Sequence, residues 1–457
     1  MMERHQSSFR DPSGFVVCHE GEFLRVVNPI YRSDYDLLMG SGLYRDLAAE
    51  KLLVTHEELP ATNVPAGAYK LLRSRQIPFF SYPYEWCFSQ LKDAALATLA
   101  VQKAALDHGM SLKDASAYNI QFIAGRATLI DTLSFETLKV GEPWVAYHQF
   151  CRHFLAPLAL MARSDVRLLQ LFRIHLDGVP LDLAQNLLPA SSRLSPWLLL
   201  HIHLHARSHR RSAGKTIKGR LPKRQFSQAS FRGLLESLES AVRSLKFRGA
   251  SEVWSQYYDA TVTGGKYLQH KQELVGRYLE QARPATVWDL GANRGLFSFL
   301  AASKGAETFA FDGDHDCVEM AYQECRRRSE AHLLPLWLDL ANPSPALGWA
   351  NTERSSWLER AQPDLVMALA LVHHLAIGNN LPLGHIADFF ARLGRWLIVE
   401  FVPKDDENAQ KLLQVREDIF SEYTEPCFAA EFARRFEILE SQRIHDSARM
   451  LYLMRRK

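Results

Sequence analysis

The densest chemistry in the chain lies in Val287-Trp288-Asp289-Leu290-Gly291-Ala292-Asn293-Arg294-Gly295-Leu296-Phe297-Ser298. It reads as a short apolar strand, a D-x-G-x-x-x-G turn and the start of a helix. Glycines at this spacing let the backbone turn sharply and let a ligand approach it closely. The Asp289 carboxylate falls at the carboxyl edge of its strand, where open α/β sheets bind ligands. The pattern is not G-x-G-x-x-G and no phosphate-cradling lysine follows, which disfavours a dinucleotide site or a P-loop. Twenty-three residues on, Asp312 ends the next strand-like run. An acid there can accept both hydroxyls of a ribose. Asp339 ends the run after that. The plainer reading, three strand-ending turn residues, has to account for all three in order.

The fourth run ends in Ala368-Leu369-Ala370-Leu371-Val372-His373-His374-Leu375. An imidazole there is suited to take a proton from a hydroxyl. The alternative is a histidine pair packing the following helix. Glu400 ends the fifth run, ahead of Lys404, Asp405 and Asp406. It would orient a histidine, bind an acceptor, or simply open a loop.

Alternating strand and helix patterns must position these residues. Strand-like runs cover Ala285 to Leu290, Thr308 to Phe311, Leu333 to Leu338, Asp364 to Leu371 and Trp396 to Val402. Leu296 to Ser303 and His315 to Ser329 have helical spacing. Such alternation predicts an α/β fold, a doubly wound parallel sheet covered by helices.

On these residues, 285–402 resemble the class I S-adenosylmethionine-dependent methyltransferases. The resemblance implies a Rossmann-like sheet with S-adenosylmethionine at its carboxyl edge. It implies that Asp289, Gly291 and Gly295, with Asn293 between them, hold the methionine end of the cofactor, and that Ala368 lines the same edge. Asp312 would take the ribose hydroxyls, and Asp339 with Leu340 the adenine. His373, His374 and Glu400 would face the methyl group and its acceptor. Residues 254–271 would fold over the cofactor as a helical lid, with Tyr257, Tyr258, Lys266 and Tyr267 as its candidate contacts.

The first half carries a different constellation. Asp114 and Asn119 have D-x-x-x-x-N spacing, and Asp131 follows twelve residues later, after two short strand patterns joined by Ala124-Gly125-Arg126. In protein kinases such an aspartate meets the acceptor hydroxyl, while the asparagine and a second aspartate hold magnesium. Phe88 to His108 reads as the preceding helix, and Ile77 to Tyr82 as a hinge strand. Residues 15–180 thus resemble an α+β kinase-like fold, which would imply Mg-ATP. The departures are large. There is no H-R-D triplet, Thr132-Leu133 follows the metal aspartate in place of Phe-Gly, and neither a Gly-rich loop nor a V-A-I-K strand is present. Arg25 is the one base on a plausible early strand. Asp114, Asn119 and Asp131 therefore read as a vestigial kinase site.

His201-Ile202-His203-Leu204-His205, with His209, would place three imidazoles on one face of a strand and so suggest zinc. No cysteine or carboxylate is near to complete a ligand set, so a histidine cluster at a helix interface is preferred and no metal site is assigned.

The 457 residues are 47% hydrophobic and 23% charged, with 54 Lys+Arg against 51 Asp+Glu, a net +3. That is a folded, multidomain composition, not a disordered or coiled-coil one. Six scattered cysteines without a CxxC pair exclude a disulfide scaffold and a zinc ribbon. The N-terminus has no apolar signal core, and no run approaches a membrane span. The chain therefore reads as soluble and cytoplasmic. One stretch stands apart, since no acid occurs between Asp182 and Glu236. It reads as a basic linker, either a solvated connector or a landing site for an anionic partner. Aromatics do not interleave its bases at stacking spacing, which disfavours nucleic acid.

The expected organisation is a kinase-like acceptor-recognition domain at 15–190, a basic linker at 191–249 and a methyltransferase domain at 250–457. Nearly the whole chain also resembles bacterial two-part methyltransferases, some of them host-specific nodulation proteins. Ser81-Tyr82-Pro83-Tyr84-Glu85-Trp86, Pro143-Trp144-Val145-Ala146-Tyr147 and Ile398-Val399-Glu400-Phe401-Val402-Pro403 carry that resemblance. The expected reaction is methyl transfer to a hydroxyl, or less readily an amine, of a glycan or small metabolite. A bifunctional kinase–methyltransferase and a non-catalytic cofactor-binding scaffold are the two other readings.

Overall fold

The structure, a computed structural model, describes residues 2–206, 226–249, 265–414 and 417–457. The chain divides into two units. One is Met1–Arg248 with Ala346–Ser355, and the other is Gly249–Pro345 with Ser356–Lys457. The ten-residue segment 346–355, cut out of the second half of the sequence, was not expected in the first unit.

The first unit opens with strands β1 (Glu3–Arg4), β2 (Gly14–His19), β3 (Glu22–Val27), β4 (His56–Glu58) and β5 (Lys70–Ser74). They form one antiparallel sheet in the order β1-β2-β3-β5-β4. Glu20 and Gly21 join β2 to β3 with φ of 52° and 83°, as a two-residue hairpin turn of the primed type requires. The helix Phe88–Asp107 follows, rich in alanine and buried on most sides. The segment 77–82, expected as a hinge strand, is not one; the strand ends at Ser74. Pro78 supplies no ladder donor, and Pro83 follows shortly after. The buried Gln102 on the helix accepts from Leu112 N at 2.7 Å and so docks β6 (Met110–Leu112). Then come β7 (Ile120–Ile123), β8 (Arg126–Leu129) and β9 (Phe135–Thr137). β6 pairs with β9, and β7 with β8 across the Ala124-Gly125 turn. The rest of the unit is mainly helical. His201 to His205 lie on a helix rather than a strand.

The second unit holds a seven-stranded sheet. Its strands are β10 (Thr286–Leu290), β11 (Glu307–Asp312), β12 (Leu333–Trp337), β13 (Leu365–Ala368), β14 (Trp396–Phe401), β15 (Phe436–Arg443) and β16 (Met450–Arg456). Their order is β12-β11-β10-β13-β14-β16-β15. The first five are parallel, β16 runs antiparallel to β14, and β15 antiparallel to β16. Counted within the unit this is 3-2-1-4-5-7-6, the sheet of a Rossmann-like methyltransferase fold. Parallel neighbours need crossovers, which the helices Leu296–Ser303, His315–Arg328 and Leu383–Leu393 supply. On one face, Val287, Met367, Ile398 and Leu453 pack with Leu274, Tyr278 and Phe297. Trp288 and Phe311 instead meet Trp357, with ring centroids 4.6 and 5.3 Å from it. β13 is shorter than its apolar run because Ala370 takes φ of 50° and turns the chain off the sheet. The closing hairpin β15–β16 was not expected from the pattern.

Candidate active site

The strand order reverses at β10, so a crevice opens between the loops that leave β10 and β13. Asp289 is 2% exposed and accepts a 2.6 Å hydrogen bond from Ser298 Oγ on the following helix. Burial pushes its carboxyl up to about 7, against the Ser298 bond. Gly291 and Gly295 have φ of 74° and 80°, and Asn293 between them 53°. A Cβ at Gly291 would lie 3.1 Å from Leu371 Cδ1, so the loops after β10 and β13 meet at this glycine.

Asp312 ends β11 half-buried. Its Oδ2 accepts from Asn293 N at 2.7 Å and its Oδ1 from Asp314 N at 2.8 Å. Burial pushes this carboxyl up to about 6, while the backbone N–H groups of Asp314, Asn293 and Gly313 pull it down. A carboxylate offers about four lone-pair positions, so acceptor capacity remains for hydroxyls. Asp339 lies exposed beyond the end of β12, one oxygen taken by Ala341 N at 2.9 Å, with half-buried Leu340 beside it. Ala368 is the buried last residue of β13.

These residues fit S-adenosylmethionine. A buried carboxyl without a bonded cation among the described residues suits an ammonium group, the two glycines of the turn admit a close ligand, and Asp312 suits a diol.

Past β13 the histidines separate. His373 is fully buried, and neither ring nitrogen has a hydrogen-bond partner among the described residues. Burial, then His374, Arg449 and Lys271, hold its pKa well below the ordinary value. His374 is half-buried, its ring centroid 4.2 Å from that of His373, and its pKa is lowered by burial and Arg449.

Glu400 makes no bond to either ring. It lies fully buried at the edge of β14, accepting from Lys271 Nζ at 2.6 Å and Tyr267 OH at 3.0 Å, with Arg449 Nη1 at 3.3 Å. Burial would raise this carboxyl, but Lys271 and Arg449 outweigh it and hold it below its ordinary value. Arg449 grips Asp406 with a second pair of N–H groups, at 2.7 and 2.9 Å. Lys271 also lies 4.9 Å from the Phe297 ring centroid, beside the glycine turn. Two cations and two anions thus brace the edge where His373 sits.

Lys271 and Arg449 were not among the expected site residues. Tyr267 and Lys271 share a helix face at i, i+4 spacing just before the motif strand, which was a usable signal. Arg449 sits in the β15–β16 connection and had none. Tyr257 and Tyr258 lie outside the described residues, as do 254–264 of the expected lid. Lys266 is exposed and bonds nothing in this network.

In the first unit the expected trio also comes together. Asp114 Oδ1 accepts from Gln149 Nε2 at 2.7 Å and Ser116 N at 3.0 Å, and Asn119 also donates to this carboxyl. Burial, then the charge of Asp131, raises it. Asp131 accepts from Ser134 Oγ at 2.7 Å and Leu133 N at 3.2 Å, and Arg25 on β3 pairs with it at 2.7 Å. Both Asp131 oxygens are thus engaged by protein donors. In the helix of the His201 run, His201 and His203 are buried and hydrogen-bonded to Tyr147, Ser237 and Ser192. No group of three or more metal-ligating side chains occurs among the described residues.

Nodulation protein NoeA of Rhizobium meliloti (strain 1021) is 35% identical over 460 residues, covering 99% of this chain and 96% of NoeA. The chain belongs to the NoeA family. No family model matches it. Among solved structures, the N-methyltransferase NodS of Bradyrhizobium japonicum WM9 aligns with 43% of this chain and 99% of its own, at 13% identity and a TM-score of 0.31. Magnesium protoporphyrin IX methyltransferase of Synechocystis PCC 6803 aligns with 42% of this chain and 84% of its own, at 17% identity and a TM-score of 0.29. At such scores the fold assignment rests on the sheet order itself. The second unit of this NoeA-family chain has the strand order of a Rossmann-like methyltransferase fold. No helix among its described residues is long and apolar enough to cross a membrane.

Proposed function

We propose that the chain transfers a methyl group from S-adenosylmethionine to a hydroxyl of a glycan or small-metabolite acceptor. The observation that carries this is the convergence of Asp289, the Gly291–Gly295 turn and Asp312 on one sheet edge, with His373 in the adjoining loop. Bound there, S-adenosylmethionine supplies an electrophilic methyl on a sulfonium. Asp289 faces the cofactor's cationic end, Gly291 and Gly295 let it approach the backbone, Asp312 takes the ribose hydroxyls, and Asp339 with Leu340 borders the adenine. His373 has a free ring nitrogen for the acceptor's O–H and takes up its proton as the oxygen is methylated. Burial, with the fields of His374, Arg449 and Lys271 added, keeps His373 neutral and its ring nitrogen available to accept a proton. Glu400 acts by bracing that edge rather than by touching the acceptor.

We assign the first unit to acceptor recognition on a kinase-like fold. Arg25 on β3 pairs with Asp131, which Ser134 and Leu133 also engage. The bifunctional reading keeps support from the gathering of Asp114, Asn119 and Asp131. Magnesium-dependent ATP binding that is lost in Asp131→Ala would establish it.

The test is transfer of labelled methyl from S-adenosylmethionine to panels of hydroxylated saccharides and metabolites. Replacing His373 by Phe is expected to cut turnover at least about a hundredfold with cofactor affinity unchanged. Full turnover in that variant removes the base role. Cofactor binding with no acceptor labelled from any extract favours the scaffold reading.

A further inference from the structure

The helix Gly265–Ala282 meets the turn between β15 and β16 at two points on one face. At Tyr267, the phenol oxygen accepts from Arg449 Nη1 at 3.0 Å. Three residues on, the His270 ring lies flat on the His445 ring, with centroids 3.5 Å apart and planes 2° from parallel. His445 N also donates to His270 Nδ1 at 3.2 Å. A backbone N–H can only donate, so Nδ1 carries no proton and His270 is neutral, with its one N–H at Nε2. The turn is tightly tied. Ile444 N donates to Arg449 O at 3.0 Å, and Arg449 N to Ser447 Oγ at 3.2 Å. What seats His445 therefore also seats Arg449, the partner of Glu400 and Asp406.

A proton added to His270 goes to Nδ1. It sets N–H against N–H and puts a cation on the face of a second imidazole, and both changes part the stack. His270 is 8% exposed while His445 is exposed, so parting the rings also hydrates His270. Burial, then His445, lower its pKa; Glu273 opposes them and Arg277 adds to them. The other charges facing this place are spoken for or balanced. Arg277 pairs with Glu440 on β15 at 3.1 Å, Lys271 with Glu400 at 2.6 Å, and Asp446 stands in the same turn as Arg449. A neutral buried imidazole costs the closed form stability as pH falls through the ordinary value of about 6.5. We propose that the His270–His445 stack is a pH-sensitive latch, closed when neutral and opened by protonation, that positions Arg449 and Lys271 around Glu400. His270 and His445 are positioning residues, acting through that network. The consequence for methyl transfer, a loss on the acid side, rests on the cofactor reading of the β10–β13 edge.

The test is hydrogen–deuterium exchange of the full chain without cofactor, read on peptides covering 440–452 and corrected for the intrinsic pH dependence of exchange. One imidazole barred from charging favours opening by up to about tenfold between about pH 7.5 and about pH 5.5. Protection of 444–449 in the wild type should fall by that factor. His270→Asn keeps an acceptor for His445 N and cannot titrate, so its protection should change by less than about twofold. His445→Phe keeps a ring on the stack without the second charge, and should fall between the two. Should His270→Asn fail to fold, the wild type and His445→Phe carry the test. Protection in the wild type that is equal at both pH values overturns the proposal, as does a fall that the folded variants retain in full. Asp289 and His373 are present in wild type and variant alike, so the ratio of their methyl-transfer rates isolates the latch. That ratio, wild type over His270→Asn, should drop with pH, and a ratio that stays constant overturns the positioning role. Exchange needs no cofactor, so absence of S-adenosylmethionine binding at every pH strikes the cofactor reading while exchange still decides the latch.

Discussion

Asp289 accepts one hydrogen bond among the described residues, from Ser298 Oγ, in surroundings that push its carboxyl up to about 7. A raised carboxyl is protonated in the folded chain where the unfolded chain has already ionised, so this group's contribution to stability falls as pH rises through about 7. Cofactor binding has the opposite slope, because a cationic ligand favours the ionised form. Affinity for S-adenosylmethionine is expected to climb up to tenfold per pH unit below that value and then level off, about 1.4 kcal/mol per unit. Calorimetry in buffers of different ionisation enthalpy should show proton release on binding at pH near 6, reduced in Asp289→Asn to the share that Asp312 supplies. Glu400 makes a second prediction at this scale. Its removal as Glu400→Ala leaves Lys271 and Arg449 buried without their shared acceptor. Breaking such a network typically costs about 3–5 kcal/mol, read as a lower melting midpoint. The pair Lys271→Met/Glu400→Gln should recover much of the loss, because no lone charge is left behind. These residues also show where sequence reading stops. Asp289 and Asp312 were legible because a strand end announces its own carboxylate. Lys271 and Arg449 lie 129 and 49 residues from Glu400, and nothing local marks a partner that the fold supplies from so far away.

At the scale of elements, the turn after β10 separates two glycines that look equivalent in sequence. Both have positive φ, so an alanine at either is strained by about 1–2 kcal/mol. Only at Gly291 would the added Cβ also press on Leu371, at 3.1 Å; at Gly295 the nearest atom, on Phe299, is 3.6 Å away. Gly291→Ala should therefore lower stability more than Gly295→Ala and weaken cofactor binding more strongly, since it moves the neighbouring loop as well. Melting and titration of both variants check this. The five parallel strands and the helices Leu296–Ser303 and His315–Arg328 were readable from apolar runs broken at Gly and Asp, while the helix Leu383–Leu393 was not expected. β15 and β16 were not readable, because β15 is largely polar and half-exposed, and most of the buried apolar residues of the hairpin, Leu451 to Met454, lie on β16. The 201–205 histidines alternate in sequence as if on a strand, yet lie on a helix whose π-helical turn buries both His201 and His203.

At the scale of the molecule, each unit gathers a constellation read from sequence. In the second unit the residues converge on a sheet edge with capacity left for a ligand. In the first, Arg25, Gln149, Asn119, Ser134 and backbone N–H groups already engage the aspartates. That contrast predicts an asymmetric ligand profile, with S-adenosylmethionine bound by the full chain and no magnesium-dependent ATP binding. The ten residues that return from the second half to the first unit were invisible in sequence. Their attachment rests on long-range contacts such as Glu353 with Arg10 and the Arg354 guanidinium over the Tyr118 ring. The most direct measurement is calorimetric titration of the full chain with S-adenosylmethionine, beside Asp312→Ala. Saturable one-site binding by the wild type, weakened at least about tenfold by loss of the ribose carboxylate, is the predicted result. No binding by the wild type, or equal binding by the variant, would contradict the methyltransferase site described above.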